Sequence, residues 1–288
     1  MAINLSGKSM VVTGATSGIG LAAAEILIQQ NAWVIGVGRS KERCQAAETR
    51  LRALNPQAQV TYLNGDLAVQ VQVRSVAQQI GALLDQAGCG LDGLLNNAGT
   101  FTYWFTQTPE GFEMQWAVNH LAPFLLTNEL LPWLQRSPSA RVVTVSSDSH
   151  YAGRLNWADP QRRRRYNGLQ AYEQSKLANV LFTLELNHRL GADSHVRAFA
   201  ADPGLVKTDI GLKGTPGLVQ RIWQLRRSGG ISAEQSAAGI VKLFTQEINK
   251  TASIYWKHGA ATRPSRRALD LNDAQRLWQI SEAMCGLV

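Results

Sequence analysis

The chain is poor in cysteine, in acid and in long apolar runs. Only three of its 288 residues are cysteine (Cys44, Cys89 and Cys285), and they lie far apart with no paired spacing. That excludes a disulfide framework and a zinc ribbon, fits a reducing compartment, and leaves no metal site to expect. No stretch offers about 18 uncharged apolar residues, so no membrane span is expected. Residues 1–8 lack the basic flank, apolar stretch and cleavage site of a signal peptide, so a cytoplasmic location is expected. Internal repeats, low-complexity tracts and Pro/Gly/Ser-rich linkers are also missing, so residues 1–288 read as one domain. Acidic residues number 21 against 29 basic ones, a net charge of +8. That excess attracts polyanions and anionic surfaces without choosing among them.

What is present is a globular balance, 45% apolar and 17% charged. Short β-branched runs alternate with longer helical stretches. The pattern predicts strands over 9–13, 33–37, 60–63, 91–95, 141–145, 196–200 and 253–256. It predicts helices over 18–30, 41–54, 71–84, 110–131, 170–190, 232–244 and 273–284, with Pro123 as a bend in the fourth. Such alternation builds βαβ units on a parallel sheet, an α/β doubly wound fold with helices on both faces. Two stretches interrupt it: 148–169, which contains Arg162-Arg163-Arg164-Arg165, and the glycine-rich 209–231. Both follow strands, so both belong at the carboxyl edge of the sheet, where open α/β folds bind ligands.

The first strand runs into Thr13-Gly14-Ala15-Thr16-Ser17-Gly18-Ile19-Gly20, and a helix follows. Gly14 permits a tight turn, Gly18 lets the backbone approach a pyrophosphate, and Gly20 lets the helix pack close. With Thr16, Ser17 and Ile19, the helix N-terminus offers N–H groups and a positive dipole end to the anion. An ordinary glycine-rich turn is the bland alternative. A carboxylate soon after the second strand would hold the ribose diol of NAD. Here the strand ends Val37-Gly38-Arg39-Ser40-Lys41, with no acid before Glu42. The fork of Arg39, with Ser40, Lys41 and Arg43 around it, suits a 2′-phosphate, so NADP(H) is expected over NAD(H). A solvated basic turn is the competing reading. Asp66-Leu67 after the third strand and Asn96-Asn97-Ala98-Gly99 after the fourth sit at the same edge, where Asp66 also reads as a helix N-cap.

Of six tyrosines, only Tyr172 has a lysine four residues on, Lys176. On a helix the two share a face, where an ammonium favours phenolate and tunes tyrosine for acid–base work. The pair also reads as an unremarked surface pair. The strand over 141–145 ends at Ser146-Ser147, which puts two hydroxyls at the carboxyl edge.

These motifs resemble the short-chain dehydrogenase/reductase family in its one-domain branch: Thr-Gly-x-x-x-Gly-x-Gly at 13–20, Asn96-Asn97-Ala98-Gly99, and Tyr172 with Lys176. Asp202-Pro203-Gly204-Leu205-Val206-Lys207-Thr208 resembles the family's Pro-Gly-x-Val-x-Thr segment. Ser147 stands 25 residues before Tyr172. That spacing, the Ala171-to-Phe182 stretch and the ending Leu277-Trp278-Gln279-Ile280-Ser281 are similar to the retinol-dehydrogenase-like subgroup. The resemblance implies a single Rossmann-type sheet of about seven strands, order 3-2-1-4-5-6-7. It implies Tyr172 as proton donor or acceptor, Ser147 on the substrate oxygen, and Lys176 on the nicotinamide ribose, depressing the tyrosine pKa. Asn119 would anchor a relay water. Asp66 and Leu67 would flank the adenine, Asn97, Ala98 and Gly99 would line the cofactor, and Pro203, Gly204, Val206 and Thr208 would meet the nicotinamide end. Ser146 rivals Ser147, and only the family spacing separates them.

Residues 209–231 are expected as a substrate lid, with Leu218, Ile222 and Leu225 on one face and arginines beside it. Tyr103, Trp104 and Phe105 add aromatic surface near the same edge. Together they suggest a lipophilic carbonyl or alcohol, retinal-like or another aldehyde or ketone. Peripheral membrane contact through the lid and homo-oligomerisation stay open. The rivals are a dinucleotide-binding regulator without turnover, a light-driven chlorophyll-precursor reductase, and a hydrolase built on Ser147 and His150. The last lacks an elbow motif and a third member. The four arginines read as a solvated face, so no nucleic acid is expected as a partner.

Overall fold

The computed structural model of the chain describes residues 4–206, 230–247 and 253–288. Its strands are β1 (Ser9–Thr13), β2 (Trp33–Gly38), β3 (Val60–Asn64), β4 (Gly93–Asn96), β5 (Ala140–Val145), β6 (Val196–Asp202), β7 (Tyr255–Lys257) and β8 (Ala260–Ala261). They form one sheet in the order β3-β2-β1-β4-β5-β6-β7-β8. All neighbours pair parallel except β7 and β8. The expected order of seven therefore stands, extended by a two-residue antiparallel edge strand too short to show in the periodicity.

Helices cover both faces: α1 (Gly18–Gln29), α2 (Lys41–Leu54), α3 (Gln70–Gln86), α4 (Met114–Trp116), α5 (Ala122–Arg136), α6 (Gly168–Leu190), α7 (Ala233–Thr245) and α8 (Leu271–Cys285). Alternation along β1 explains why there are two cores. Met10 and Val12 face α1 and α7, with Leu27, Ile28 and Ile240. Val11 faces α3, α5, α6 and α8, with Ile80, Phe124, Leu181 and Trp278. A strand buried on both faces must be apolar throughout, and β1 is buried at every residue. Side-chain caps set the helix starts: Ser40 accepts from the Arg43 N–H, Asn167 from Gln170, and Asp270 from Asn272 and Asp273.

The fourth predicted helix is corrected. It begins only at Met114, because the buried Glu113 carboxylate accepts the Gln115 and Trp116 N–H groups and ends the preceding turn. Residues Ala117–Leu121 then form a π-helical turn before α5. Pro123 does not bend the middle of a helix; it sits in the first turn of α5 and has no N–H to offer the Asn119 carbonyl four residues back. Among the described residues no helix is long and apolar enough to cross a membrane.

Candidate active site

At the end of β1, Gly14 has φ +66° and Gly18 φ +53°, both in the region that favours glycine. A Cβ on Gly20 would stand 2.3 Å from the Gly14 carbonyl oxygen, so α1 packs as close as a missing side chain allows. The Ser17 side chain caps none of the first-turn amides of α1. Asn97 is a strut for this turn: its Nδ2 donates to the Thr13 carbonyl at 2.9 Å. The Thr13 hydroxyl accepts the Asn97 and Ala98 N–H groups at 2.9 and 3.0 Å. Thr13 is thus a positioning residue that the reading of the motif passed over, although it stands inside it.

Arg39 is exposed at the end of β2. Arg43 reaches the Thr16 carbonyl at 3.5 Å, so basic side chains flank the cradle as the sequence suggested. The Ser40 hydroxyl donates to Glu42 at 2.6 Å and holds that carboxylate in the same turn. Asp66 is not the N-cap of α3. Its carboxylate accepts the Ala68 N–H at 3.0 Å, and the cap position falls on Val69.

The carboxyl edge gathers the remaining side chains. Ser146 and Ser147 follow β5 in sequence and point to opposite sides. Ser146 is 1% exposed and donates to the Lys176 carbonyl at 2.8 Å, which makes it a tie to α6. Ser147 is the hydroxyl that hydrogen-bonds Tyr172. The Lys176 ammonium lies 5.4 Å from the Tyr172 ring centroid and donates to the Val145 carbonyl at 3.1 Å. Phe101 packs edge-on to Tyr172, with centroids 5.7 Å apart. The Asn119 carboxamide accepts the Thr100 N–H at 2.7 Å and donates to the Ser175 hydroxyl at 3.1 Å. Ser175 in turn donates to the Tyr172 carbonyl at 2.8 Å. Ser175 is a second positioning residue missed in the sequence, although it lies between Tyr172 and Lys176.

Electrostatics at Tyr172 differ from the expectation. Burial pushes the phenol up to about 12, the Asp202 carboxylate adds to the rise, and the Ser147 hydrogen bond draws it back. Burial pulls Lys176 down to about 8 against the same Asp202 charge. The lysine therefore does not make this phenol more acidic than usual here, because burial of both groups dominates.

His150 is no nucleophile's base. Its Nε2 accepts the Ser265 N–H at 3.1 Å, so its Nδ1 carries the proton and donates to the Ser147 carbonyl, not the hydroxyl. Pro203 and Gly204 follow β6 at the same edge. Gly204 has φ +76°, and its N–H donates to Asp202 at 2.8 Å. Val206 bridges in parallel to Ile231. Thr208 and all but the end of the expected lid at 209–231 lie outside the described residues. Trp104 is 64% exposed, and Tyr103 packs against it. Arg162 is a strut, donating to Gln174, Gln170 and the Arg154 carbonyl, whereas Arg163, Arg164 and Arg165 are exposed.

Comparison with known proteins follows the same lines. A family model described as short chain dehydrogenase matches residues 8–216. Retinol dehydrogenase 14 of Mus musculus is 35% identical over 297 aligned residues, covering 99% of this chain and 87% of that protein. The crystal structure of an uncharacterized protein from Mycobacterium paratuberculosis superposes with TM-score 0.76 at 34% identity, covering 99% of this chain and 96% of the other. An NADPH-bound carbonyl reductase from chicken fatty liver shares the fold, with TM-score 0.67, 24% identity, and 90% and 99% coverage.

Proposed function

The chain belongs to the short-chain dehydrogenase family, in its retinol-dehydrogenase-like subgroup, and from that premise we propose an NADP(H)-dependent oxidoreductase acting on a lipophilic carbonyl/alcohol pair. Members of the family bind a nicotinamide dinucleotide. The residues present fit that group: the cradle closes only because Gly20 lacks a Cβ, and the first amides of α1 are left uncapped by Ser17. In this reading Gly14, Thr16, Ser17, Gly18, Ile19 and Gly20 hold the pyrophosphate. Arg39 and Ser40 hold the 2′-phosphate, and Asp66 and Leu67 flank the adenine. Asn97, Ala98 and Gly99 line the body of the molecule. Lys176 holds the ribose, and Pro203, Gly204, Val206 and Thr208 meet the nicotinamide end. When bound, the cofactor supplies the hydride donor or acceptor.

The chain's own work is proton management and positioning. A phenol pushed up to about 12 stays protonated at neutral pH, so Tyr172 is ready to donate to a carbonyl oxygen. Ser147, hydrogen-bonded to Tyr172, orients that oxygen where negative charge develops. Asn119 anchors a relay water through its main chain, since its carboxamide already serves Thr100 and Ser175. Phe101, Tyr103 and Trp104 make the mouth apolar and favour a lipophilic substrate, retinal-like aldehydes among them. Residues 1–288 act as one unit with 209–231 as its lid, in the cytoplasm.

The observation that supports this most directly is the Ser147 hydrogen bond to Tyr172 beside the Lys176 ammonium. The test is NADPH and NADH consumption with a panel of aldehydes and ketones. Wild type turns over with NADPH. Tyr172→Phe loses about 100-fold or more in kcat while its NADPH affinity survives. Undiminished turnover in the variant would refute the assignment, and NADPH binding without turnover in wild type would favour a regulator.

A further inference from the structure

Asp202 is a buried acid that the reading above leaves without a role. It ends β6 and is 3% exposed. A lone carboxylate there would be costly, so its partners matter. One oxygen accepts the Gly204 N–H at 2.8 Å, and the other accepts the Tyr255 hydroxyl at 3.2 Å. The Asp202 carboxyl also meets that of Asp148 in a hydrogen bond. Two carboxyls can bond only through a proton that one of them keeps. Lys257 forms an ion pair with Asp148, whose side chain is 52% exposed. The outer acid is therefore the charged one, and the inner acid holds the proton.

The charges around the pair come from every neighbouring element. Tyr255 and Lys257 face it from β7, and Asp148, His150 and Tyr151 from the turn after β5. Tyr172 and Lys176 face it from α6. The His258 ring packs where a Gly204 Cβ would be, and Ser236 of α7 donates to the Pro203 carbonyl at 2.9 Å. Burial and the Asp148 contact push Asp202 up to about 6. Burial of Asp148 is outweighed by Lys257 and the Asp202 hydrogen bond, which leaves it below the usual carboxylate range.

We propose that Asp202 is a positioning residue of this site: by sharing one proton with Asp148 it holds the turn at Pro203 and Gly204 and sets the charge beside Tyr172 and Lys176. Loss of that proton puts two like charges in contact under the turn and adds a negative charge next to the phenol and the ammonium. The pH profile of turnover therefore contains a step that belongs to the acid pair. The inference rests on the oxidoreductase reading for its kinetic consequence, but not for the shared proton.

The test has two arms on the full chain. In the first, aspartate carboxyl carbons are followed by NMR against pH. One carboxyl should titrate near pH 6 in wild type, vanish in Asp202→Asn, and move below about pH 5 in Asp148→Asn, whose amide donates to an ionised Asp202. In the second, kcat/KM is measured against pH. Asp202→Asn should lose the step near pH 6 and shift its alkaline limb to lower pH by about half a unit or more, because a negative charge beside Tyr172 and Lys176 is gone. A merely structural aspartate would lower activity evenly and leave the profile's shape intact, which would overturn the proposal. So would the absence of any wild-type aspartate titrating above about pH 5, and that result holds even if Asp202→Asn does not fold. A titrating Asp202 in a protein without turnover would instead sink the oxidoreductase reading and leave the shared proton standing.

Discussion

Gly20→Ala adds one methyl group where there is no room. The new Cβ would lie 2.3 Å from the Gly14 carbonyl oxygen and 2.5 Å from Asn97 Nδ2. Neither neighbour is the loose end of a flexible side chain: one is backbone, and the other is tied to the Thr13 carbonyl at 2.9 Å. Ordinary contact needs about 3.4 Å, so the cradle must open by roughly 1 Å. Overpacking of this kind costs about 2 kcal/mol, a fall of roughly 4–8 °C in Tm for a chain near this size. The displaced turn also loses about one charge-assisted hydrogen bond to the pyrophosphate, which weakens dinucleotide binding roughly 10- to 150-fold. Thermal unfolding and titration of NADPH fluorescence read the two effects separately. Gly88→Ala is the control, because Gly88 has φ +64° but nothing within 4 Å of an added Cβ. It should lower Tm without touching NADPH affinity. If Gly20→Ala binds NADPH as tightly as wild type, the cradle is not where the dinucleotide sits.

Two further outcomes follow from the same physics. Burial holds His120 neutral, down to about 3, between Trp116 and Phe124. Its folded value is depressed, so its stabilising contribution is complete above pH 6.5 and is lost as pH falls toward 3, at about 1.4 kcal/mol per unit. In His120→Phe, Ser281 keeps its bond to the Leu277 carbonyl. Urea midpoints at pH 7.5 and 4.5 should then show wild type losing about 2.7 kcal/mol more than the variant, and equal losses would count against a neutral buried imidazole. At the other end of the site, Arg39→Asp should raise KM for NADPH about tenfold or more and lower it for NADH, as steady-state kinetics with both cofactors would read. An unchanged NADPH to NADH ratio would mean that Arg39 is only a solvated turn residue.

Local features were legible in the chain because local chemistry sets them. Helix and strand periods follow from which residues must be apolar, and the glycines of the cradle follow from a turn that no Cβ can enter. Tyr172 and Lys176 share a face because a helix repeats every 3.6 residues. The short β8 edge and the π turn were not legible, since neither has a periodicity of its own. The π turn reflects Glu113 capping from before it and Pro123 withholding a donor from after it.

The residues alone determined an α/β fold with a phosphate cradle after the first strand and hydroxyls, a phenol and an ammonium at one edge. Whether Ser146 or Ser147 meets Tyr172 was decided only when α6 packed on one side of β5, because successive residues point to opposite sides. Tertiary packing also decided the charge states. It buried Tyr172 and Lys176 together, turned His150 toward a carbonyl, and brought Asp148 and Asp202, 54 residues apart, into one hydrogen bond. Ionisation depends on solvent and neighbours in three dimensions, and sequence distance does not encode either.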